Sequence, residues 1–359
     1  MLPYYALIFI PLLFAFFYEL FYERFGNKGK KKNYTIIIFF IIYCILLAFR
    51  SANIGADVLR YFEHYNIVKS YSFSQVIRVY QNSDLGYFIF TKLLAIVFSH
   101  RQWLLIIVAL FTTIPMATMY YRESENSLVS IALFMVMPIF QMNFSGLRQA
   151  MAISFIVPAM YAVRDRNLKR FLIIVAFACL FHSSAIIILL MYPIYHWKIK
   201  RKHLIFIFPL IAFVYTFNSE IYMFVFRFID EKFQERYAYT TQTGAYTMLL
   251  VFFVFVIYAF VFTNEKKYTH DEKGLRNYLL MALLLQIFAL VNSVAMRLNY
   301  YYLPFIPIII TQATNRMKIQ SKILKICISM SIYVLFICYY LNKSRTIDSL
   351  GIYPYEFFL

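Results

Sequence analysis

Long apolar runs, separated by short polar or basic stretches, follow one another along almost the entire chain. A transmembrane helix needs about 20 mostly apolar residues, and about ten of these runs approach or reach that length. They cover residues 2–22, 34–49, 103–120, 128–142, 150–163, 204–217, 248–263, 275–291, 300–313 and 323–341. The pattern predicts an all-α polytopic membrane protein with about 10 crossing helices plus short re-entrant or interfacial helices. We expect residues 1–359 to form a single integral membrane domain.

Two further apolar runs are predicted not to cross. Residues 85–99 form a short run with Lys92 near its middle, and residues 171–195 form a run between two basic loops. Basic loops are retained in the cytoplasm, and a crossing by either run would place one of them outside. We therefore predict that residues 85–99 form a re-entrant or surface helix and that residues 171–195 turn back near residues 181–184.

The composition excludes two other classes of protein. The chain is 62% hydrophobic and 14% charged, with a mean hydropathy of +0.65, which lies outside the range of soluble domains. The formal net charge of +18 suits a nucleic-acid partner in principle, but the basic residues lie in short loops at the ends of apolar runs. Because positive charge in such loops sets membrane orientation, we expect the lipid bilayer as a partner and no nucleic acid.

Two polar segments, residues 51–84 and 218–247, interleave charged and aromatic side chains. We predict that both are external and carry amphipathic helices that lie on the bilayer. With the basic loops inside, this topology brings several polar side chains to the external face. They are Arg50, Asp57, Arg148 and Arg297, with His182 reaching them from within the membrane.

Arg148 lies in a polar stretch, residues 143–149, between two apolar runs. A guanidinium so close to hydrocarbon costs several kcal/mol unless an anion or a water-filled cavity receives it. One interpretation is that Arg148 only anchors the helix to lipid headgroups. The other is that it serves a functional cavity together with Gln149.

Several arginines with a nearby aspartate and histidine suit an anionic ligand that has an apolar end. A guanidinium group can bind two phosphate oxygens at once and keeps its charge, so a lipid diphosphate is the predicted ligand. In glycosyl transfer from such a lipid, negative charge develops on the leaving phosphate, and fixed cations stabilise it. Asp57 and His182 are the candidate general bases. The four cysteines lie in apolar segments without ligand spacing, so we predict no metal site and no cofactor.

Five motifs in register resemble the EpsG family of Wzy-type polysaccharide polymerases. They are Phe49-Arg50 with Asn53-Ile54-Gly55-Ala56-Asp57 and Tyr61; Phe144-Ser145-Gly146-Leu147-Arg148-Gln149; Leu180-Phe181-His182-Ser183-Ser184-Ala185; Met296-Arg297 with Tyr300; and Tyr353-Pro354-Tyr355. The chain has Gly55-Ala56-Asp57 where the family commonly has Gly-Thr-Asp. The resemblance implies a multi-pass protein of the bacterial cytoplasmic membrane that polymerises undecaprenyl-diphosphate-linked repeat units of an exopolysaccharide, capsule or O antigen on the external face.

On this hypothesis the protein is a metal-independent glycosyltransferase. Asp57 and His182 are its predicted catalytic residues, and the predicted substrate-binding residues are Arg50, Arg148, Gln149, Arg297, Tyr61 and Tyr300. Its expected partners are the lipid-linked oligosaccharide and a chain-length regulator and flippase of the same pathway. Two alternatives stay open: a flippase or other transporter of the lipid-linked oligosaccharide, and a ligase or O-acyltransferase that uses the same lipid. The predicted clustering of charges at one face favours the polymerase over a transporter.

Overall fold

The structure is a computed structural model that describes residues 2–25, 33–226, 243–292, 295–346 and 350–358. Within those ranges the regular secondary structure is helical, and the β-bridges of Arg50 with Phe357 and of Thr263 with Met317 are isolated. The all-α prediction is therefore confirmed for the described residues. Internal contacts divide the chain into a first unit, Met1–Ile186 with Cys327–Leu359, and a second unit, Ile187–Ile326. The prediction of one membrane domain stays a prediction.

The helices of both units follow in chain order. In the first unit they are α1 (Leu2–Phe25), α2 (Tyr34–Ala48), α3 (Val58–Ser70), α4 (Phe73–Tyr80), α5 (Leu85–Val97), α6 (Gln102–Glu123), α7 (Ser127–Val136), α8 (Pro138–Ser145), α9 (Leu147–Ser154), α10 (Ile156–Arg164) and α11 (Leu168–Phe181). A 3-10 helix, Ser183–Leu190, follows α11. The second unit has α12 (Met191–His196), α13 (Leu204–Thr216), α14 (Asn218–Phe226), α15 (Thr243–Val261), α16 (His270–Phe288), α17 (Met296–Asn299) and α18 (Ile306–Asn315), with short 3-10 helices at Arg201–His203, Glu265–Lys267 and Leu303–Phe305. The last helix, α19, is Lys322–Thr346.

Fewer helices have the length of a membrane span than the apolar pattern predicted. Of the described helices, α6 and residues 322–344 of α19 are long and apolar enough, and counting two bent helix pairs as broken spans gives four. One pair, α7 with α8, bends by 62° at Met137, which is extended because Pro138 disfavours the helical conformation of the residue before it. The other pair, α13 with α14, bends by 76° at Phe217. The predicted number of about 10 crossings is thus not confirmed, since breaks divide several apolar runs into shorter helices.

The two predicted amphipathic segments differ in how much of each is described. Residues 51–84 contain α3 and α4, and α4 begins with a capping box in which Ser72 Oγ accepts from the Gln75 N–H and Gln75 Oε1 accepts from the Ser72 N–H. Tyr80 at the end of α4 stacks on Phe88 of α5, with 3.6 Å between ring centroids. In residues 218–247, α14 and the start of α15 are described, whereas residues 227–242 lie outside the described residues.

The two runs predicted not to cross are both short or broken. With 13 residues, α5 measures about 20 Å, less than a hydrocarbon core of roughly 30 Å. Its Lys92 is buried and donates from Nζ to the Lys69 carbonyl at the end of α3 (3.1 Å), where a cation is favourable. In residues 171–195, α11 ends at Phe181 and His182 is extended, so the helix breaks where a turn was predicted. The membrane course of both runs stays a prediction.

The segment that follows α2 is hydrogen-bonded to residues 350–358. Ser51 N donates to the Glu356 carbonyl and Gly55 N donates to the Gly351 carbonyl, and each N···O distance is 2.8 Å. Tyr355 of the Tyr-Pro-Tyr motif donates its hydroxyl to the Leu46 carbonyl, also at 2.8 Å. Residues 350–358 therefore hold residues 49–56 in place, and Tyr355 of the motif attaches the same segment to the end of α2.

Gly55 joins this segment to the motif that contains Arg148. Its φ is +99°, and a Cβ atom at this position would lie 2.0 Å from the Phe144 carbonyl oxygen. A non-glycine residue is disfavoured at this φ, and the close approach excludes a side chain as well. Glycine here lets residues 53–57 and 144–149 touch.

We expect Gly55→Ala to destabilise the protein more than Gly351→Ala. Gly351 also has a positive φ, +62°, but the nearest atom to an added Cβ is 4.0 Å away, so that variant reports only the conformational cost of about 1–2 kcal/mol. Gly55→Ala adds the collision with Phe144. Thermal unfolding of both purified variants in the same detergent measures the difference, and equal losses in Tm would contradict a tight contact at Gly55.

Candidate functional site

The ion pair between Asp84 and Arg148 lies at the centre of the polar cluster in the first unit. Asp84 precedes α5 and Arg148 is in the first turn of α9, and Arg148 Nη1 lies 2.9 Å from Asp84 Oδ2. The Asp84 side chain is 11% exposed and the Arg148 side chain 34% exposed. A cation in the first turn opposes the helix dipole, so the carboxylate compensates both for this position and for partial burial. Arg148 is thus fixed yet still accessible.

The second oxygen of Asp84 faces the end of α11. The Ser183 N–H donates to Asp84 Oδ1 at 3.3 Å, and His182 Nδ1 lies 3.7 Å from the same oxygen. The latter distance exceeds a normal hydrogen bond, and the contact becomes an ion pair when the imidazole is protonated. One carboxylate therefore connects a guanidinium to an imidazole.

Tyr61 and His64 of α3 border the same ion pair. The Arg148 guanidinium interacts with the Tyr61 hydroxyl, and the Tyr61 ring packs edge-on against Tyr87 with centroids 5.6 Å apart. Burial lowers the pKa of His64, and the guanidinium groups of Arg148 and Arg60 lower it further. The charge of Arg148 thus acts on α3 as well as on α5.

Asp57 contacts the start of the Arg148 motif through Ser145. Ser145 Oγ donates to Asp57 Oδ2 at 3.3 Å. Asp57 occupies the N-cap position of α3, but its side chain makes no capping hydrogen bond. The Asp57 carboxylate therefore lies beside the motif that carries Arg148 and does not cap α3.

A shared apolar core positions these polar groups. It is built from residues of α3, α4, α5, α6 and α9, namely Val58, Tyr61, Phe62, Tyr65, Val68, Val76, Tyr87, Phe88, Ala95, Leu104, Leu105, Val108, Leu147 and Met151. Gly86, two residues after Asp84, lets α5 approach α11 closely, since a Cβ there would lie 2.7 Å from Leu180 Cβ. Close packing thus holds the start of α5 against the end of α11.

Arg50, predicted to bind substrate, has a different environment. It is 1% exposed, and its guanidinium donates to the carbonyls of Ile54 (3.3 Å), Phe144 (3.1 Å) and Leu47. Its role here is to hold the segment after α2 against α8, and it does not join the Asp84–Arg148 pair. Gln149 is also buried, at 2% exposed.

Arg297 and Tyr300 belong to the second unit. Arg297 is an exposed residue of α17, and its charge acts on the hydroxyl of Tyr300. The neighbouring Asn299 is buried and donates to the Ala282 carbonyl and to Gln286 Oε1. This network holds the short helix α17 on α16.

Asp84 lies at the end of the polar segment 51–84, and the sequence alone assigns it no role. An aspartate that follows a polar turn and precedes an apolar helix is typical of a helix cap. This pattern gives no indication that Asp84 contacts Arg148. The available signal was a carboxylate at the edge of an apolar run, a position that favours a charged partner.

Among the described residues, no group of three or more His, Cys, Asp or Glu side chains is arranged to hold a metal ion. The predicted absence of a metal requirement remains a prediction, because ligand geometry alone does not define the reaction.

Apolar helices of spanning length together with a charged cluster beside them define an integral membrane protein. The model of the EpsG family matches residues 33–357, and the chain belongs to this family, which comprises Wzy-type polymerase-like proteins. It is accordingly a membrane protein of polysaccharide biosynthesis. No curated protein and no solved structure matches the chain.

We expect Arg148→Gln to raise the pKa of His64, because removal of a nearby positive charge favours the imidazolium. NMR titration of the detergent-solubilised protein with labelled histidine measures this pKa, and His64→Gln assigns the signal. Arg101→Gln is the matched control, since Arg101 packs over Phe62 of the same helix without acting on His64. A His64 pKa that is the same in wild type and Arg148→Gln would refute the proximity of the two groups.

Proposed function

We propose that the protein polymerises undecaprenyl-diphosphate-linked oligosaccharide repeat units on the external face of the bacterial cytoplasmic membrane. Membership of the EpsG family supports polysaccharide biosynthesis. The observation that carries the specific proposal is the accessible Arg148, held by Asp84 and connected through it to His182. A cation and a base at one place suit transfer from a diphosphate to a hydroxyl group.

In this reaction an acceptor sugar hydroxyl attacks the anomeric carbon of the donor. A new glycosidic C–O bond forms, the C–O bond to the diphosphate breaks, and the lipid diphosphate leaves with the bonding electrons. Arg148 has five N–H donors, more than its contacts with Asp84 and Tyr61 require, so the guanidinium can also bind a phosphate oxygen. Negative charge on the leaving diphosphate increases in the transition state, and Arg148 stabilises it there most strongly.

His182 is the proposed base that takes the proton of the acceptor hydroxyl. Asp84 is its positioning residue: it lies 3.7 Å from Nδ1 and stabilises the imidazolium when Nε2 accepts the proton.

Asp57, hydrogen-bonded to Ser145, is proposed to bind an acceptor hydroxyl, and Tyr61 to border the diphosphate. Arg297 and Tyr300 are proposed substrate contacts of the second unit. Arg50 is not among the proposed substrate contacts, because its buried guanidinium donates to three backbone carbonyls.

We expect Arg148→Lys to abolish polymer formation while the protein still inserts and accumulates normally. Lysine keeps the charge and an ion pair with Asp84 but loses the planar group that binds two oxygens at once. The measurement is polymer length on gels from cells that express the variant in place of the wild type, with protein level determined by immunoblot. Arg101→Lys, at an exposed arginine outside the cluster, is the matched control and should retain polymer.

The lipid-linked pool distinguishes this proposal from the alternatives. Loss of a polymerase leaves single repeat units on the external face, whereas loss of a flippase leaves them inside. Full-length polymer from both Arg148→Lys and Arg148→Ala cells would refute the role of Arg148 in diphosphate binding. Conversion of purified lipid-linked repeat units by the purified protein, with no nucleotide sugar added, tests the reaction directly.

A further inference from the structure

The second unit contains a cavity of about 260 Å³ beside the start of α16. It is lined by residues 195–200, from the end of α12 onward, and by Glu265, His270, Lys273, Gly274 and Arg276. Its charged lining consists of Lys198, Lys200, Lys273, Arg276 and Glu265. Cations therefore outnumber the carboxylate, and the electrostatic environment favours an anion.

Arg276 is the buried component of this lining. The residue is 1% exposed, and its Nη2 donates to the Ile199 carbonyl at 3.1 Å. Its Nε and Nη1 make no hydrogen bond to any described residue, and the guanidinium lies 3.9 Å from the ring centroid of Phe260 and 5.0 Å from that of Tyr268. Aromatic faces attract the cation but supply no lone pair to N–H groups, so an additional acceptor would stabilise Arg276.

The nearby carboxylates are already engaged. Glu265 Oε1 accepts from the Arg201 backbone N–H at 2.9 Å and lies 3.5 Å from Arg276 Nη2. Asp271 accepts the Tyr195 hydroxyl at 2.9 Å, and Glu272 pairs with Arg316. These contacts leave the lysines at the cavity without a described acidic partner.

A wider, more open cavity shares Lys200 and Glu265 with the first. It has a volume of about 950 Å³ and adds Arg201, Lys202 and His203 to the basic lining. The basic loop of residues 198–203 contributes to both cavities, and the charge pattern predicts this loop to be cytoplasmic. The shared Lys200 and Glu265 place the wider cavity next to the one that Arg276 lines.

We propose that the cavity around Arg276 binds a phosphate group at the cytoplasmic side, with Arg276 as the buried contact and Lys200 and Lys273 as outer contacts. The phosphate comes either from a soluble phosphate compound or from the headgroup of an anionic phospholipid. In both cases charge-assisted hydrogen bonds to phosphate oxygens supply the acceptors that Arg276 lacks. This site is independent of the proposed polymerase reaction.

The test uses the full-length protein and the double variant Lys200→Gln/Lys273→Gln, which leaves Arg276 and the packing of α16 unchanged. Inorganic pyrophosphate is added at constant ionic strength, and thermal unfolding and calorimetry measure its binding. For the lipid source, the protein is reconstituted in phosphatidylcholine nanodiscs with or without phosphatidylglycerol, and co-purifying lipid is quantified by mass spectrometry. Lys267→Gln is the matched control, because Lys267 is exposed on the same loop and does not line the cavity.

We expect the double variant to bind one of the two probes at least tenfold more weakly, while Lys267→Gln matches the wild type. Loss of pyrophosphate binding identifies a soluble ligand, and loss of phosphatidylglycerol enrichment identifies a lipid. The proposal is overturned if neither probe binds the wild type. It is overturned equally if the double variant binds both probes as well as Lys267→Gln does.

Discussion

The ion pair between Asp84 and Arg148 is the interaction on which the polar centre of the first unit depends. It joins α5 to α9 and, through Ser183 and His182, both helices to the end of α11. Loss of one partner from a fully buried pair costs about 3–5 kcal/mol, and the partial exposure of Arg148 places the cost below that range. An arginine held in this way keeps its position while part of its surface remains accessible to a ligand.

Three arginines of this chain lie in three different environments. Arg50 is 1% exposed and donates to three backbone carbonyls, so it contributes to the fold. Arg148 has a carboxylate partner and an accessible surface. Arg276 lies between aromatic rings with donors that the described residues leave unmatched. Charge alone therefore does not distinguish these three arginines, whereas the acceptors around each of them do.

Some of these features could be predicted from the sequence. The helical class follows from the apolar runs. The motif around Gly55 and the motif around Arg148 were expected to share a site. The hydrogen bond between Ser145 and Asp57 joins these two motifs. The number of spanning helices could not be obtained from run length, because extended residues such as Met137 divide the runs. Asp84 escaped notice because its partner lies far away in the sequence, and local patterns do not report such contacts.

The hydrogen bonds between residues 49–56 and residues 350–358 have a consequence for biogenesis. The ribosome adds about 5–20 residues per second, so the early segment waits many seconds for the backbone partners that fix it. During that interval the loop that carries Asp57 lacks its final neighbours, even though α2 and α3 have already been synthesised. These hydrogen bonds therefore form only after the helices described between residues 58 and 346 have been translated.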